Sequence, residues 1–225
     1  MSIEYVLRDL EKVIPEYYTR PIQDNFIGIY TKRNNKLVSV VSSEYKFIQS
    51  KELFKEILLS LKDYNIIRHT IKTNLKTHYV YLRMEIDGFF KKLMLILVNS
   101  VDKSNAVKFL AGVFEQICGN DLIIIHWFYF KHIGTIEEKL KALKILPQNI
   151  IAQYEMLRNI PNSISEEDIP KLRKIIYINE KIAKAILQQS SLYDVYNYIT
   201  SQITKKYNMA YFQKLNYLYN FLMRR

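Results

Sequence analysis

The chain holds one cysteine, Cys118, so neither an internal disulfide nor a cysteine-rich zinc site can form. A lone thiol of this kind is expected as a small buried residue on a helix. Glycine is equally scarce, with five in 225 residues, and neither a P-loop nor a dinucleotide fingerprint can be written. His69, His78, His126 and His132 never fall at the i, i+4 spacing that sets two imidazoles on one helical face. A Gly-x-Ser-x-Gly elbow is missing too. No catalytic residue, no metal site and no cofactor is therefore expected. The longest apolar run, Leu93 to Val98, is far short of the roughly 20 residues that cross a bilayer as a helix. Met1-Ser2-Ile3-Glu4-Tyr5 lacks the basic and apolar regions of a signal peptide. These absences lead to the expectation of a cytoplasmic protein with no membrane partner.

What is present is an ordinary globular composition, 49% hydrophobic and 24% charged, with a cationic excess. The 33 Lys and Arg against 22 Asp and Glu give a net charge of +11, which favours polyanions and makes nucleic acid the first candidate partner. The excess forms no tail, being spread over both halves of the chain. Ile, Tyr, Asn and Lys outweigh Gly, Ala and Pro, so A+T-rich coding also accounts for part of it.

Apolar residues at helical spacing predict a helix over residues 3–14, stopped by Pro15. Phe26–Thr31 and Leu37–Ser42 read as strands closing on the polar turn 32–36, with Lys32, Arg33 and Lys36 at the tip. Ser50 is placed to cap a helix Lys51–Leu61. Strict alternation predicts a strand His78–Ile86, Asp87-Gly88 a hairpin turn, and Phe89–Val98 a central return strand. Ser104 is expected to begin a helix through Cys118, with Val107, Leu110, Ala111, Phe114 and Ile117 on its buried side and Gly119-Asn120 as its stop. Leu122–Phe130 reads as a further strand. Beyond it the pattern is helical: capping boxes at Thr135/Glu138 and Ser165/Asp168, then helices 192–203 and 210–223, punctuated by Pro147, Pro161 and Pro170. The expected fold is α+β, a small mostly antiparallel sheet with packed helices over residues 1–146 and a helical region over 147–225 packed on it as one compact unit.

Tyrosine is abundant, with 18 residues. Tyr79, Tyr81 and Arg83 share the wet face of the alternating strand, with Lys76, Lys91 and Lys92 flanking it. Rings that stack on bases beside cations that follow phosphates are what single-stranded nucleic acid requires. Burial of these tyrosines under the C-terminal helices is the competing reading. Tyr207 with Tyr211, and Tyr217 with Phe221, read as helix-packing stripes. Glu166-Glu167-Asp168 precedes a helix, where acids meet the N-terminal dipole, and this capping role is preferred over metal ligation.

The most specific stretch is Asn99-Ser100-Val101-Asp102-Lys103-Ser104-Asn105-Ala106, followed by Gly112-Val113-Phe114 and Cys118-Gly119-Asn120. It is expected as a strand-to-helix junction in which Asp102 or Ser104 caps exposed N–H groups. Here the chain resembles the phage/plasmid-like family known as domain of unknown function 932, through Asn99, Ser100, Asp102, Ser104, Ala106, Cys118 and Asn120. Val41–Lys46 and the segment holding Asn197 and Thr200 are similar to its outer blocks. The chain departs from the family at Lys103 and Asp121, where glycine is frequent. The resemblance implies a virus or mobile element of a prokaryotic or virus-infected cell, and roles in replication, recombination or defence. The leading expectation is a nucleic-acid-binding accessory protein acting on single-stranded DNA, in strand binding or annealing. The alternatives are an interaction module that inhibits a host defence protein, and an enzyme built from Asn99, Asp102, Asn197 and Thr200. A host or viral protein partner and a homo-oligomer are both compatible with the sequence.

Overall fold

The structure, a computed structural model, describes residues 2–104, 106–117, 120–130, 146–203 and 209–224. The fold is α+β, with two antiparallel sheets of three and five strands and seven α-helices among the described residues. No helix among them is long and apolar enough to cross a membrane. The elements are α1 (Ile3–Val13), β1 (Tyr17–Gln23), β2 (Phe26–Thr31), β3 (Leu37–Ser42), α2 (Ser50–Ser60), β4 (Asn65–Thr73), β5 (Thr77–Ile86), β6 (Phe89–Ser100), β7 (Val107–Ile117) and β8 (Asn120–Phe130). The helices α3 (Leu146–Asn159), α4 (Ile169–Ile175), α5 (Glu180–Leu187), α6 (Leu192–Ser201) and α7 (Met209–Met223) follow. The chain divides into two compact units, residues 1–110 with 128–146, and residues 111–127 with 147–225.

The small sheet, in the first unit, has the order β1-β2-β3; the large sheet has the order β4-β5-β6-β7-β8, with β4, β5 and β6 in the first unit and most of β7 and β8 in the second. Helix α1 buries Val6 and Leu10, and α2 buries Leu53, Phe54, Ile57 and Leu58. Both sit on one face of the large sheet: Asp9 of α1 bonds His69, whose partner across the β4–β5 ladder is Leu82. Val80, Leu82 and Met84 point into this core. The β5–β6 turn is made by Asp87-Gly88, with Gly88 at φ 76°, the left-handed region that only glycine enters without strain. Strand β6 lies at the centre of its sheet and is buried on both faces from Leu93 onward, as its apolar run demands. A separate core under the small sheet joins Tyr17, Ile29, Val38, Val41, Tyr45 and Val101.

Two strands lie where no element was expected. β1 carries Pro21, tolerated because the strand is an edge and its register slips between Pro21 and Gln23. β4 is likewise an edge, polar along most of its length. The expected helix from Ser104 to Cys118 is a correction: residues 107–117 form β7. Val107, Phe109, Leu110, Ala111, Val113 and Phe114 are all buried, so both faces are apolar, and a run apolar on both faces carries no period to distinguish strand from helix. Cys118 and Gly119 lie outside the described residues, as do Thr135 and Glu138. Ser50 is the first residue of α2 and not its cap; Gln49 holds that position.

In the second unit, Asn216 of α7 donates to the carbonyls of Ile124 and Ile125 at 3.5 and 3.0 Å, and Tyr196 and Phe212 are fully buried. Gln153 bridges His126 and the Tyr219 hydroxyl. The guanidinium of Arg158 lies over the rings of both Tyr154 and Tyr193 at 5.7 Å. Asp168 accepts from the backbone N–H and hydroxyl of Ser165, and Pro170 opens α4, as the capping reading requires.

Candidate nucleic-acid interface

Strand β5 alternates as its sequence demands, and the face opposite the helices presents Tyr79, Tyr81 and Arg83. Residues two apart on a strand stand about 7 Å apart on one face, and the Tyr79 and Tyr81 rings are nearly parallel, 15° between planes with centroids 6.2 Å apart. Strand β4 brings further groups to the same face, since antiparallel partners point to one side: Lys72 pairs with Tyr79, Thr70 with Tyr81 and Arg68 with Arg83. Lys72 Nζ lies 5.7 Å from the centre of the Tyr81 ring. Arg68 and Lys72 escaped the sequence reading because β4 did; its signal is only a polar residue at every second position, Arg68, Thr70 and Lys72.

The face is open on one side and closed on the other. The β6 partners of Tyr79, Tyr81 and Arg83 are Val98, Ile96 and Met94, all buried. Burial accordingly pushes the Tyr81 hydroxyl above its ordinary pKa, with the neighbouring Tyr79 adding to the shift. Tyr81 thus lies between its apolar β6 partner and Lys72 of β4, with the Tyr79 ring beside it. Glu85, at the far end of the row, accepts from Asn65 at 3.1 Å.

The flanking cations mark the two ends of β5. Lys76 precedes the strand and lies 3.5 Å from Asp102. Lys91 and Lys92 follow the turn at the other end, with Lys91 Nζ 5.2 Å from the ring of Phe90, which is 72% exposed. A ten-residue strand is about 33 Å long, and along β5 the order is Lys76, Lys72 with Tyr79, Tyr81, Arg68 with Arg83, then Lys91 and Lys92. Lys32, Arg33 and Lys36 belong instead to the small sheet, at the β2–β3 turn, where Lys32 pairs with Glu16 at 2.9 Å.

No family model, no curated protein and no solved structure matches the chain.

The segment 99–104 closes the Lys76 end of β5. It connects two strands, β6 and β7, and is not the strand-to-helix junction expected from the sequence. Asn99 is fully buried, and its amide donates to Ile48 O at 3.2 Å and Ser50 Oγ at 2.9 Å. Ser100 is buried beside it, and its carbonyl accepts from the Tyr45 hydroxyl. Asp102 accepts from the Ser104 N–H at 3.0 Å within the loop, but no helix starts here, so the expected helix cap is not formed. Burial raises the Asp102 carboxyl, but the Ser104 hydrogen bonds and Lys76 outweigh it and hold the group below its ordinary value. Lys103 adopts φ 64°, the left-handed region, donates to Ser42 Oγ at 2.8 Å and covers the Tyr45 ring.

Of the remaining motif residues, Asn120 begins β8. Asn197 and Thr200 lie on α6 in the second unit, while Asn99 and Asp102 belong to the first. The Thr200 hydroxyl is buried against its own helix, donating to Tyr196 O at 2.9 Å. Tyr211 is buried, as a packing stripe requires, whereas Tyr217 is exposed and accepts from Gln213; Tyr207 lies outside the described residues. Asp168, the buried acid of the 166–168 cluster, is engaged by Ser165 and Lys171.

Proposed function

We propose that the chain binds single-stranded nucleic acid along the β4–β5 face, as an accessory protein of a virus or mobile element in replication or recombination. The observation that carries this reading is the parallel Tyr79–Tyr81 pair bordered by Arg68, Lys72 and Arg83 on one sheet face. Stacking needs unpaired bases, because the faces of paired bases are occupied by their neighbours, and the cations follow the phosphates. Single strands are therefore favoured over duplex. The net charge of +11 raises the encounter rate with any polyanion but supplies no such preference. The Asn99–Asp102 resemblance to phage and plasmid proteins supports the setting and not the ligand.

Fluorescence anisotropy with a labelled single-stranded oligonucleotide, repeated against duplex across a salt series, tests the reading. Tyr79→Ala with Tyr81→Ala is expected to weaken single-strand binding by roughly tenfold or more, at about 1–3 kcal/mol for each stacked base. Arg68→Gln with Lys72→Gln is expected to flatten the salt dependence by about one contact per cation removed. Absence of binding at low salt, or equal loss of single-strand and duplex affinity in the tyrosine variant, overturns the reading.

A further inference from the structure

The second unit carries a surface of its own at the turn between α4 and α5. Tyr177 stands at its apex and is 82% exposed, while Ile176 and Ile178 on either side of it are buried. Arg173 of α4 donates from Nε to the Ile178 carbonyl at 3.0 Å and pairs with Glu180 at the start of α5. Asn179 caps α5 by accepting from the Ile182 N–H at 2.9 Å. The backbone that carries the ring is therefore anchored on both sides, and little further ordering is needed when the ring is engaged.

The charge around this ring is mostly of one sign. Between residues 169 and 188 the chain has five cations, Lys171, Arg173, Lys174, Lys181 and Lys184, and one acid, Glu180. Lys171 pairs with Asp168 and Arg173 with Glu180, whereas Lys174, Lys181 and Lys184 are exposed and have no ion pair among the described residues. Lys174 and Lys181 are three and four residues from Tyr177, so their Cα atoms lie within about 11 and 15 Å of its own. Lys184 follows one turn later on the exposed side of α5, whose other side buries Ile182, Ala183 and Ile186. Glu166 and Glu167 precede α4 and are separated from the turn by a helix about 10 Å long.

We infer that this turn is a second contact for single-stranded nucleic acid, in which Tyr177 stacks on one base and Lys174, Lys181 and Lys184 follow the neighbouring phosphates. It belongs to the second unit and the β4–β5 face to the first, so either contact can hold without the other. The occupant follows from what surrounds the ring. A protein partner needs an apolar centre to the contact, but the exposed residues nearest Tyr177 in the chain are Lys174, Asn179, Glu180 and Lys181. A lone flat ring among cations fits a base with its phosphates, and stacking again requires that the base be unpaired.

Photo-crosslinking of the full chain to a single-stranded oligonucleotide carrying 5-bromodeoxyuridine, with the labelled peptides read by mass spectrometry, tests it. Label is expected at Tyr177 both in the native chain and in the Tyr79→Ala, Tyr81→Ala variant. Adding Tyr177→Ala to that variant is expected to lower its remaining single-strand affinity about tenfold, the share of one stacked base. The melting temperature should not change, because the ring is exposed. Tyr177→Phe is expected to keep full affinity, since stacking uses the ring and not the hydroxyl. Absence of label at Tyr177, or unchanged affinity on its removal, overturns the inference whether or not Tyr79 and Tyr81 label. Label at Tyr177 alone supports it and overturns the β4–β5 reading. Poly-glutamate that binds as tightly as the oligonucleotide, with the same dependence on Tyr177, overturns it in favour of an acidic protein partner.

Discussion

His78 shows what burial does to a single polar side chain. Its ring is inaccessible and lies between the Tyr17 hydroxyl, 3.2 Å from Nε2, and the Thr73 hydroxyl, 2.6 Å from Nδ1. A neutral imidazole satisfies both, donating at one nitrogen and accepting at the other. Desolvation disfavours the charged form and lowers its pKa from 6.5 to about 4, while the same desolvation raises the Tyr17 hydroxyl to about 12. In this interval the unfolded chain binds a proton that the folded chain refuses, so stability falls with falling pH between 6.5 and about 4 and levels off below. The loss amounts to at most about 3 kcal/mol. Urea denaturation across that range should show it in the native chain, and His78→Gln should remove this share of the slope; identical slopes in the two proteins would refute the assignment. Asn99 is the opposite case, a buried amide whose Oδ1 has no hydrogen-bond partner while its Nδ2 ties β6 to the start of α2.

At the level of elements, two strands come very close at Gly112. A Cβ built there would lie 1.9 Å from the carbonyl oxygen of Ile123, so β7 and β8 can meet at this point only because the side chain is missing. The obstacle is backbone and cannot rotate away. Gly112→Ala is expected to cost about 3 kcal/mol, the upper end of the usual range for overpacking, or to separate the strands, and thermal melting checks it; a melting temperature within a degree or two of the native chain would show that β7 shifts freely. The sequence named this glycine within its most specific segment but set it on a helix. Legibility followed exposure: α1, β2, β3, β5 and β6 were readable because each alternates, repeats or ends on a turn residue, and β8 because it is rich in β-branched and aromatic residues. Edge strands β1 and β4 lack one clean face, and β7 has two apolar faces, so in all three the period that identifies an element was absent. The site was half legible for the same reason. Tyr79, Tyr81 and Arg83 came from the alternation of β5, whereas Arg68 and Lys72 needed the β4–β5 register, which only the fold supplies.

At the scale of the molecule, the cations singled out among the described residues of the first unit lie in several places. Lys32 and Lys76 are paired with Glu16 and Asp102, the hairpin tip of the small sheet holds three cations, and the β4–β5 face holds Arg68, Lys72 and Arg83. Binding of polyanions is therefore expected to depend on which face is engaged, which is why the tyrosine variants and not the net charge decide the question.

The placement of β6 has a consequence for opening. A strand enclosed above and below, with a neighbour along each side, has no route by which water or a catalyst reaches its amides while the first unit stays folded. Deuterium uptake at Leu95, Ile96 and Leu97 should be the slowest in that unit, and its rate should report the free energy of complete unfolding. Fast labelling at these three sites would mean that the centre of the sheet breathes independently of its surroundings.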